Sequence, residues 1–287
     1  MIPSIPERHN QPGAIDFPRL RIYSPVMEAG QYLEHYQLQA RWLAPSRHYL
    51  YRRANVAGCR RILDLGCGVG VISEELRQVS GRPVLGVDRD PLLVEAARDF
   101  FPGNDYLAGD ERLLARKDGR FDLIVLSFVL MWQERPLRFL KVVRRLLAEN
   151  GTLLVLAEPD YGGRIDFPVQ LDFLKDIFSG HILKAGGDPF IGRQLASLLR
   201  RAGFKADVEL ASGLGFPDNV PAAAWEREWK FWQDLAGFSD ATRKRILRLE
   251  KSAAARSHFF KFHAAAAKSR FNWSPTKPFK KQRISRY

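Results

Sequence analysis

Cysteine is scarce in this 287-residue chain. Cys59 and Cys67 are the only two, so at most one disulfide is available to a protein of this size. The opening stretch, MIPSIPERHNQPG, lacks the basic-then-apolar layout of an export signal. Together these lead us to expect a reducing, cytoplasmic setting. No run of eighteen apolar residues occurs, which excludes a membrane-spanning helix of ordinary length. The six histidines are scattered. His258 and His263 lie five apart, a spacing that suits neither one helical face nor alternate strand positions, so no metal site is expected. No histidine is close to Cys67 in sequence, and that residue is read as small rather than nucleophilic. Internal repeats are absent. Acidic residues are what the C-terminal fifth lacks. Between Ala241 and Tyr287 there are fourteen Lys plus Arg against Glu250 alone, whereas the first 240 residues balance at 31 of each sign. Two readings stay open for that region. It is either a solvated helix face followed by a frayed tail, or an electrostatic footprint for RNA, an acidic protein or anionic lipid.

With 46% hydrophobic residues, the chain is long enough to bury a substantial core. Residues 1–24 are rich in Pro and read as an extended arm. Residues 28–54 place Tyr32, Tyr36, Leu43, Tyr49 and Leu50 at helical spacing, interrupted near Pro45, which predicts two short helices. Compact apolar runs then alternate with helical patterns. RILDL (61–65), PVLGVD (83–88), DYLAGD (105–110), FDLIVLSFVL (121–130) and TLLVLAEPD (152–160) read as strands. VISEELRQVS (71–80), PLLVEAARDFF (91–101) and RPLRFLKVVRRLLAEN (135–150) read as helices, the last stopped by Gly151. This alternation predicts a Rossmann-like α/β fold with a mostly parallel sheet covered by helices on both faces. Beyond it, 161–188 is irregular, 191–204 a helix ending at Gly203, and 205–212 a strand. The segment 257–267 is ambiguous between an Ala-rich helix and an alternating strand, and we favour a last, antiparallel strand. The expected organisation is an N-terminal arm and helices (1–54), one main domain (55–270) with a helical insertion at about 222–251, and a basic disordered tail (271–287).

LDLGCGVG (63–70) carries glycines at three alternate positions, Gly66, Gly68 and Gly70, at the first strand-to-helix turn. In an open parallel sheet ligands bind beyond the carboxyl ends of the strands, and a turn without Cβ atoms lets a bulky group lie against the backbone. The next strand ends in Asp88, a carboxylate placed to accept both hydroxyls of a ribose. A dinucleotide fingerprint needs G-x-G-x-x-G, and the position of its last glycine is here Val71, so the pattern is G-x-G-x-G instead. Asp64 sits two residues before Gly66, and a carboxylate inside the turn suits a ligand with positive charge better than a pyrophosphate.

On these residues the chain resembles the class I S-adenosylmethionine-dependent methyltransferases. LDLGCGVG matches their first motif, Asp88 the acidic end of the second strand, Gly109 and Asp110 the adenine-side acid, and FDLIVLSFVLMW the fourth-strand motif. The resemblance is firm over about 60–160. It continues more weakly through EPD (158–160) and 186–204, where the sequence looks like bacterial small-molecule methyltransferases. It implies a seven-stranded sheet and S-adenosyl-L-methionine as cofactor, with S-adenosyl-L-homocysteine as product. Asp64 and the backbone of Gly66 and Gly68 would then lie against the methionine part, Asp88 at the ribose and Asp110 at the adenine amino group, with Cys67 and Arg89 also among the cofactor-binding residues. Ser127 and Phe128 would flank the cofactor, and Gln39 would reach its carboxylate. Each has a plainer alternative: Asp88 as a cap for the next helix, Asp110 as a turn residue, Gln39 as a solvated helix residue.

Methyl transfer needs alignment first and a base only for some acceptors. Candidate bases are Glu158, Asp160, Tyr161 and His181. For Glu158 and Asp160 the alternative is helix capping or pairing with Arg164 or Arg193. Met131, Trp132, Tyr161 and Trp229 are the candidates for an apolar acceptor wall, with Trp225 and Trp232 in the same late segment as Trp229. The alternative for those rings is core or a contact in a homodimer. A small, hydrophobic or aromatic acceptor is the expected substrate. An RNA or protein acceptor held by the basic C-terminal region, and a non-catalytic cofactor-binding scaffold, are the rival readings.

Overall fold

The computed structural model of the chain describes residues 29–114, 121–210, 229–231, 233–234, 237–252, 257–259 and 262–268. Strands β1 (Ile62–Leu65), β2 (Leu85–Asp88), β3 (Asp105–Ala108), β4 (Phe121–Ser127) and β5 (Leu147–Pro159) form the parallel part of the main sheet. Helices α2 (Val71–Ser80), α3 (Pro91–Phe100), α4 (Glu111–Leu114) and α5 (Pro136–Leu146) connect them. A short strand, β6 (Ile165–Phe167), is followed by helices α6 (Leu174–Lys184) and α7 (Ile191–Arg201) and strand β7 (Lys205–Leu210). Last come helix α8 (Asp240–Ser252) and strands β8 (Ser257–Phe259) and β9 (Phe262–Lys268).

The seven-stranded sheet has the order β3-β2-β1-β4-β5-β9-β7, and β6 pairs with β8 in a separate two-stranded ribbon. β9 runs antiparallel to both β5 and β7. The expected Rossmann-like fold, with its last strand antiparallel, is borne out. Strand order reverses at β1, whose two neighbours are β2 and β4, and such a switch point opens a crevice beyond the strand ends.

The central strands are largely apolar because both faces are covered. Leu63, Leu65, Ile124, Leu126, Leu153 and Val155 point one way, into a core closed by Phe139, Leu140 and Val143 of α5 and Leu195 and Leu199 of α7. Ile62, Leu123, Val125, Leu154 and Leu156 point the other way, against Leu76 of α2 and Leu50 and Tyr51 of α1 (Ala29–Arg53). The start of α3 is set locally: Asp90 accepts a hydrogen bond from the Leu92 amide, and Pro91 stands in the first turn.

Four expectations need correction or extension. Residues 29–53 form one helix with Pro45 inside it, not two. Leu43, Leu50 and Tyr51 are buried, and Arg47 makes a two-pronged bond to Glu75 of α2 (2.8 and 2.6 Å), so contacts on both sides of Pro45 hold the helix through the lost hydrogen bond. Helix α5 ends at Leu146 rather than 150, because the chain from Leu147 pairs with Phe121 and is already strand. The stretch 161–188 is not irregular throughout: it holds β6 and α6, the latter anchored by buried Leu174, Phe178 and Ile182. The ambiguous segment ends as strand β9, wedged between β5 and β7. In the expected insertion, helix is described at 229–231, 233–234 and 240–252. Trp225, Trp232, the arm at 1–24 and the tail at 271–287 lie outside the described residues.

Candidate functional site

β1 delivers the chain into a turn that a side chain would block. Gly66 and Gly68 have φ of +83° and +52°, and a Cβ on them would come within 2.5 Å of Val129 Cγ2 and 2.7 Å of Tyr36 Cε2. The amides of Gly66 and Cys67 donate to the Val87 carbonyl at 2.7 and 3.1 Å, which ties the turn to the end of β2. The first turn of α2 follows at Val71, so its free N–H groups face the same crevice.

Three carboxyl groups converge there. Asp64, 1% exposed, accepts a hydrogen bond from Ser73 Oγ at 2.6 Å. Burial pushes its carboxyl up to about 7, the neighbouring Asp88 adds to the rise and the Ser73 bond opposes it. Asp88 accepts from the Gly68 amide at 2.9 Å and the Asp90 amide at 3.0 Å. Burial raises its pKa as well, and those two amides hold it back. Asp110, at the end of β3, accepts from the Arg112 amide (2.9 Å) and from the Arg112 guanidinium. Between them the Cys67 thiol is buried, and that burial together with Asp64 and Asp88 keeps it protonated and inert.

The end of β4 forms the opposite wall. Ser127 lines the cleft, and Phe128 next to it has φ of +58°, a strained value for a residue with a bulky side chain. The turn that follows is held from below. Glu158 accepts from the amides of Val129 (3.0 Å), Leu130 (2.9 Å) and Met131 (3.1 Å). Burial lifts its pKa to about 7 against those three bonds. Trp132 comes after, its ring occupying space that only Gly187 leaves open: a Cβ there would sit 2.7 Å from the indole.

The cleft has a volume of about 2280 Å³, more than one small ligand fills. It gathers Gln39, Asp64, Gly66, Cys67, Gly68, Asp88, Arg89, Asp110, Ser127, Phe128, Met131, Trp132, Tyr161 and His181. Three expected residues are not on its walls. Glu158 is fully buried and committed to the β4 turn. Asp160 is bound by Arg193 and has His263 Nε2 at 3.8 Å. Trp229 is 3% exposed and stacks on Phe178, ring centroids 6.5 Å apart. Burial, reinforced by Lys184, lowers the pKa of His181, which leaves a neutral imidazole facing the cleft at pH 7.

Sequence reasoning missed a roof. His35 of α1 stacks on Phe231 with centroids 3.6 Å apart, Tyr32 meets the same ring edge-on at 6.2 Å, and Tyr36 covers Gly68. The signal was present in the helical spacing of Tyr32 and Tyr36, but nothing local says that this face lies over the glycine turn. Among the described residues no group of three or more His, Cys, Asp and Glu is arranged to hold a metal ion, and no helix is long and apolar enough to cross a membrane.

Comparison with known proteins agrees with this geometry. Residues 63–155 match the family model of a methyltransferase domain. The ribosomal protein L11 methyltransferase of Thermosipho africanus is 35% identical over 96 residues, 33% of this chain and 36% of that protein. The ubiquinone biosynthesis O-methyltransferase of Xanthomonas oryzae pv. oryzae is 32% identical over 112 residues, 37% of this chain and 46% of that protein. The chain thus spans less than half the length of these curated relatives. The plantazolicin methyltransferase BpumL, solved in complex with SAH, superposes with a TM-score of 0.54 at 14% identity, covering 87% of this chain and 93% of that one. The cyclopropane synthase MmaA2 from Mycobacterium tuberculosis gives 0.50 at 14% identity, with 77% and 83% covered. Over residues 63–155 the chain thus matches a methyltransferase domain, and the two superposed structures share its fold.

Proposed function

We propose that the protein transfers a methyl group from S-adenosyl-L-methionine to a small, apolar or aromatic acceptor. One observation carries this reading: a buried carboxylate and a side-chain-free turn stand on one side of a cleft whose other side is Met131, Trp132 and Tyr161. The residues fit the cofactor. The backbone of Gly66 and Gly68 takes the methionine part, with Asp64 beneath it to balance positive charge and Gln39 from α1 toward the carboxylate. Asp88 and Arg89 hold the ribose, Asp110 meets the adenine amino group, and Ser127 and Phe128 flank it. When bound, the cofactor supplies a methyl group on a sulfonium that is its own leaving group.

The task left to the chain is alignment, which contributes on the order of 7–11 kcal/mol in well-oriented intramolecular reactions. Phe128 and the Glu158-braced turn fix the wall against which the acceptor lies, and the α1 roof with Phe231 excludes water. For an acceptor that loses a proton, His181 and Tyr161 are the two candidate bases that line the cleft, and His181, kept neutral by burial, is the better one. The name of the ubiquinone-pathway relative supports a small acceptor; the ribosomal protein L11 relatives mark the rival, a macromolecular one.

Two measurements test the reading. S-adenosylhomocysteine raises the melting temperature while NADH leaves it unchanged; the reverse result points to an oxidoreductase. Incubation with labelled methyl donor and fractionated cell extract puts label into the small-molecule fraction. Label in RNA or protein overturns the acceptor class, and donor binding without any transfer identifies a scaffold.

A further inference from the structure

Among the described residues, eight large apolar side chains are exposed, and four of them lie between positions 165 and 183: Ile165 (58%), Phe167 (49%), Val169 (71%) and Leu183 (56%). The first three form one patch. Ile165 and Phe167 project from the same face of β6, since Asp166 between them is buried, and Val169 begins the turn of residues 169–171 that packs on β6. Leu183 stands on α6 beside His181 and Ile182, which line the cleft.

Helix α8 packs against the same 169–171 turn, with Ile246 buried and the Arg245 guanidinium 4.5 Å from the centre of the Phe173 ring. Its outward face is basic: Lys244 and Arg248 are one turn apart and both exposed. The acids nearby are mostly engaged. Asp172 pairs with Lys175, Asp240 lies 3.6 Å from Arg243, and Asp166 is buried against Arg164. Among the described side chains that leaves Lys184, Lys244, Arg245 and Arg248 opposed by Asp176. The β6–β8 ribbon follows the end of β5 and precedes the start of β9 in the chain, and Tyr161, just past the end of β5, lines the cleft.

We infer that this face docks on an anionic membrane surface, with Ile165, Phe167 and Val169 entering the acyl boundary and the α8 cations meeting lipid headgroups. An apolar tip beside a basic helix face is the arrangement that combines buried apolar area with attraction to acidic lipid. A purely basic patch would suit a polyanion in water, and a purely apolar one a second protein. The inference rests on the proposed apolar acceptor only for its purpose, which is to bring the mouth of the cleft to where such a molecule dissolves. Docking itself is measured without the reaction.

The test is co-sedimentation of the full chain with vesicles of phosphatidylcholine alone and of equal parts phosphatidylcholine and phosphatidylglycerol. Binding is expected to the mixed vesicles and to fall in 0.5 M salt. Removing two charges, Lys244→Gln with Arg248→Gln, lowers the partition about thirtyfold. Phe167→Ser with Val169→Ser lowers it at least about tenfold. All four positions are exposed, and an unchanged melting-temperature rise with S-adenosylhomocysteine verifies that each variant is folded. No binding to the mixed vesicles, equal binding to both kinds, or full binding by the Phe167/Val169 variant each overturns the inference. So does a concentration-dependent doubling of mass without vesicle binding, which would assign the face to a second copy of the chain. If methyl transfer fails but vesicles bind, the acceptor reading falls and the docking surface stands.

Discussion

Asp64→Asn separates what a buried acid costs the fold from what it contributes to the ligand. The Asp64 carboxyl titrates near 7 in the folded chain against an ordinary value of 3.8. Its folded pKa is raised, so the fold favours the protonated form. As pH climbs from about 4 to about 7, the unfolded chain releases this proton and the folded chain does not, and stability falls over that window. Above it the loss is constant, at most about 4 kcal/mol for a shift of roughly three units. The Asn variant keeps an acceptor for Ser73 Oγ and has no charge to bury. Its ligand-free melting temperature at pH 8 is therefore expected to exceed that of the native chain, with a flatter pH profile. Binding runs the other way. The ammonium group of the ligand's amino-acid part pairs with the ionised form, whose population rises from about a tenth at pH 6 to about nine tenths at pH 8. Calorimetric titration with S-adenosylhomocysteine should then show roughly tenfold tighter binding at pH 8 than at pH 6, and the variant should bind weakly with no such dependence. Glu158 also titrates near 7, but it is unchanged in the variant and serves as the internal control. Native affinity that is flat in pH, or a variant that binds as well as the native chain, would refute the role given to Asp64.

Three further outcomes follow from the same geometry. Asp88→Ala removes the acceptor for the Gly68 and Asp90 amides and for a ribose; cofactor affinity should drop by about a hundredfold with a melting temperature within a few degrees of native, read by calorimetry and thermal scan. Gly68→Ala places a methyl group 2.7 Å from Tyr36 at positive φ, so both stability, by about 1–3 kcal/mol, and cofactor affinity should decline in denaturant and binding titrations. Glu158→Gln supplies an N–H group where three backbone N–H groups need an acceptor. A loss of about 1–3 kcal/mol in stability is expected, together with a slower turnover whose pH profile keeps its native shape, since Glu158 does not face the cleft.

The parallel core was legible because strands buried on both faces must be largely apolar, and β1, β2 and β4 are, apart from Asp64, Asp88 and Asp122. The glycine turn was legible for a steric reason: a side chain at Gly66 or Gly68 collides with Val129 or Tyr36, so the constraint is written into residue type. Where local preference and tertiary pairing disagree, the sequence misleads. The alanines of β9 favour helix in isolation, and the two neighbouring strands decide otherwise. Pro45 marks a break that the buried residues around it override. Helix α6 hides in plain view, since Leu174, Phe178 and Ile182 recur every four residues, but Gly180 and the short length dilute the signal. In the site, Asp64, Asp88 and Asp110 stand at strand ends that a pattern can locate. The partners of Glu158 are backbone amides some thirty residues away, and the roof over Gly68 comes from another helix; neither relation has a local trace.

The position of β9 has a consequence for the order of assembly. A ribosome that has synthesised through Leu210 has made six of the seven strands of the main sheet, yet β7 still awaits residues 262–268, its one sheet neighbour among the described residues. Until those residues emerge, β5 presents an open hydrogen-bonding edge made largely of leucine and valine, the kind of template that recruits foreign strands. The nascent protein is thus most prone to aggregate while roughly its last quarter is being made.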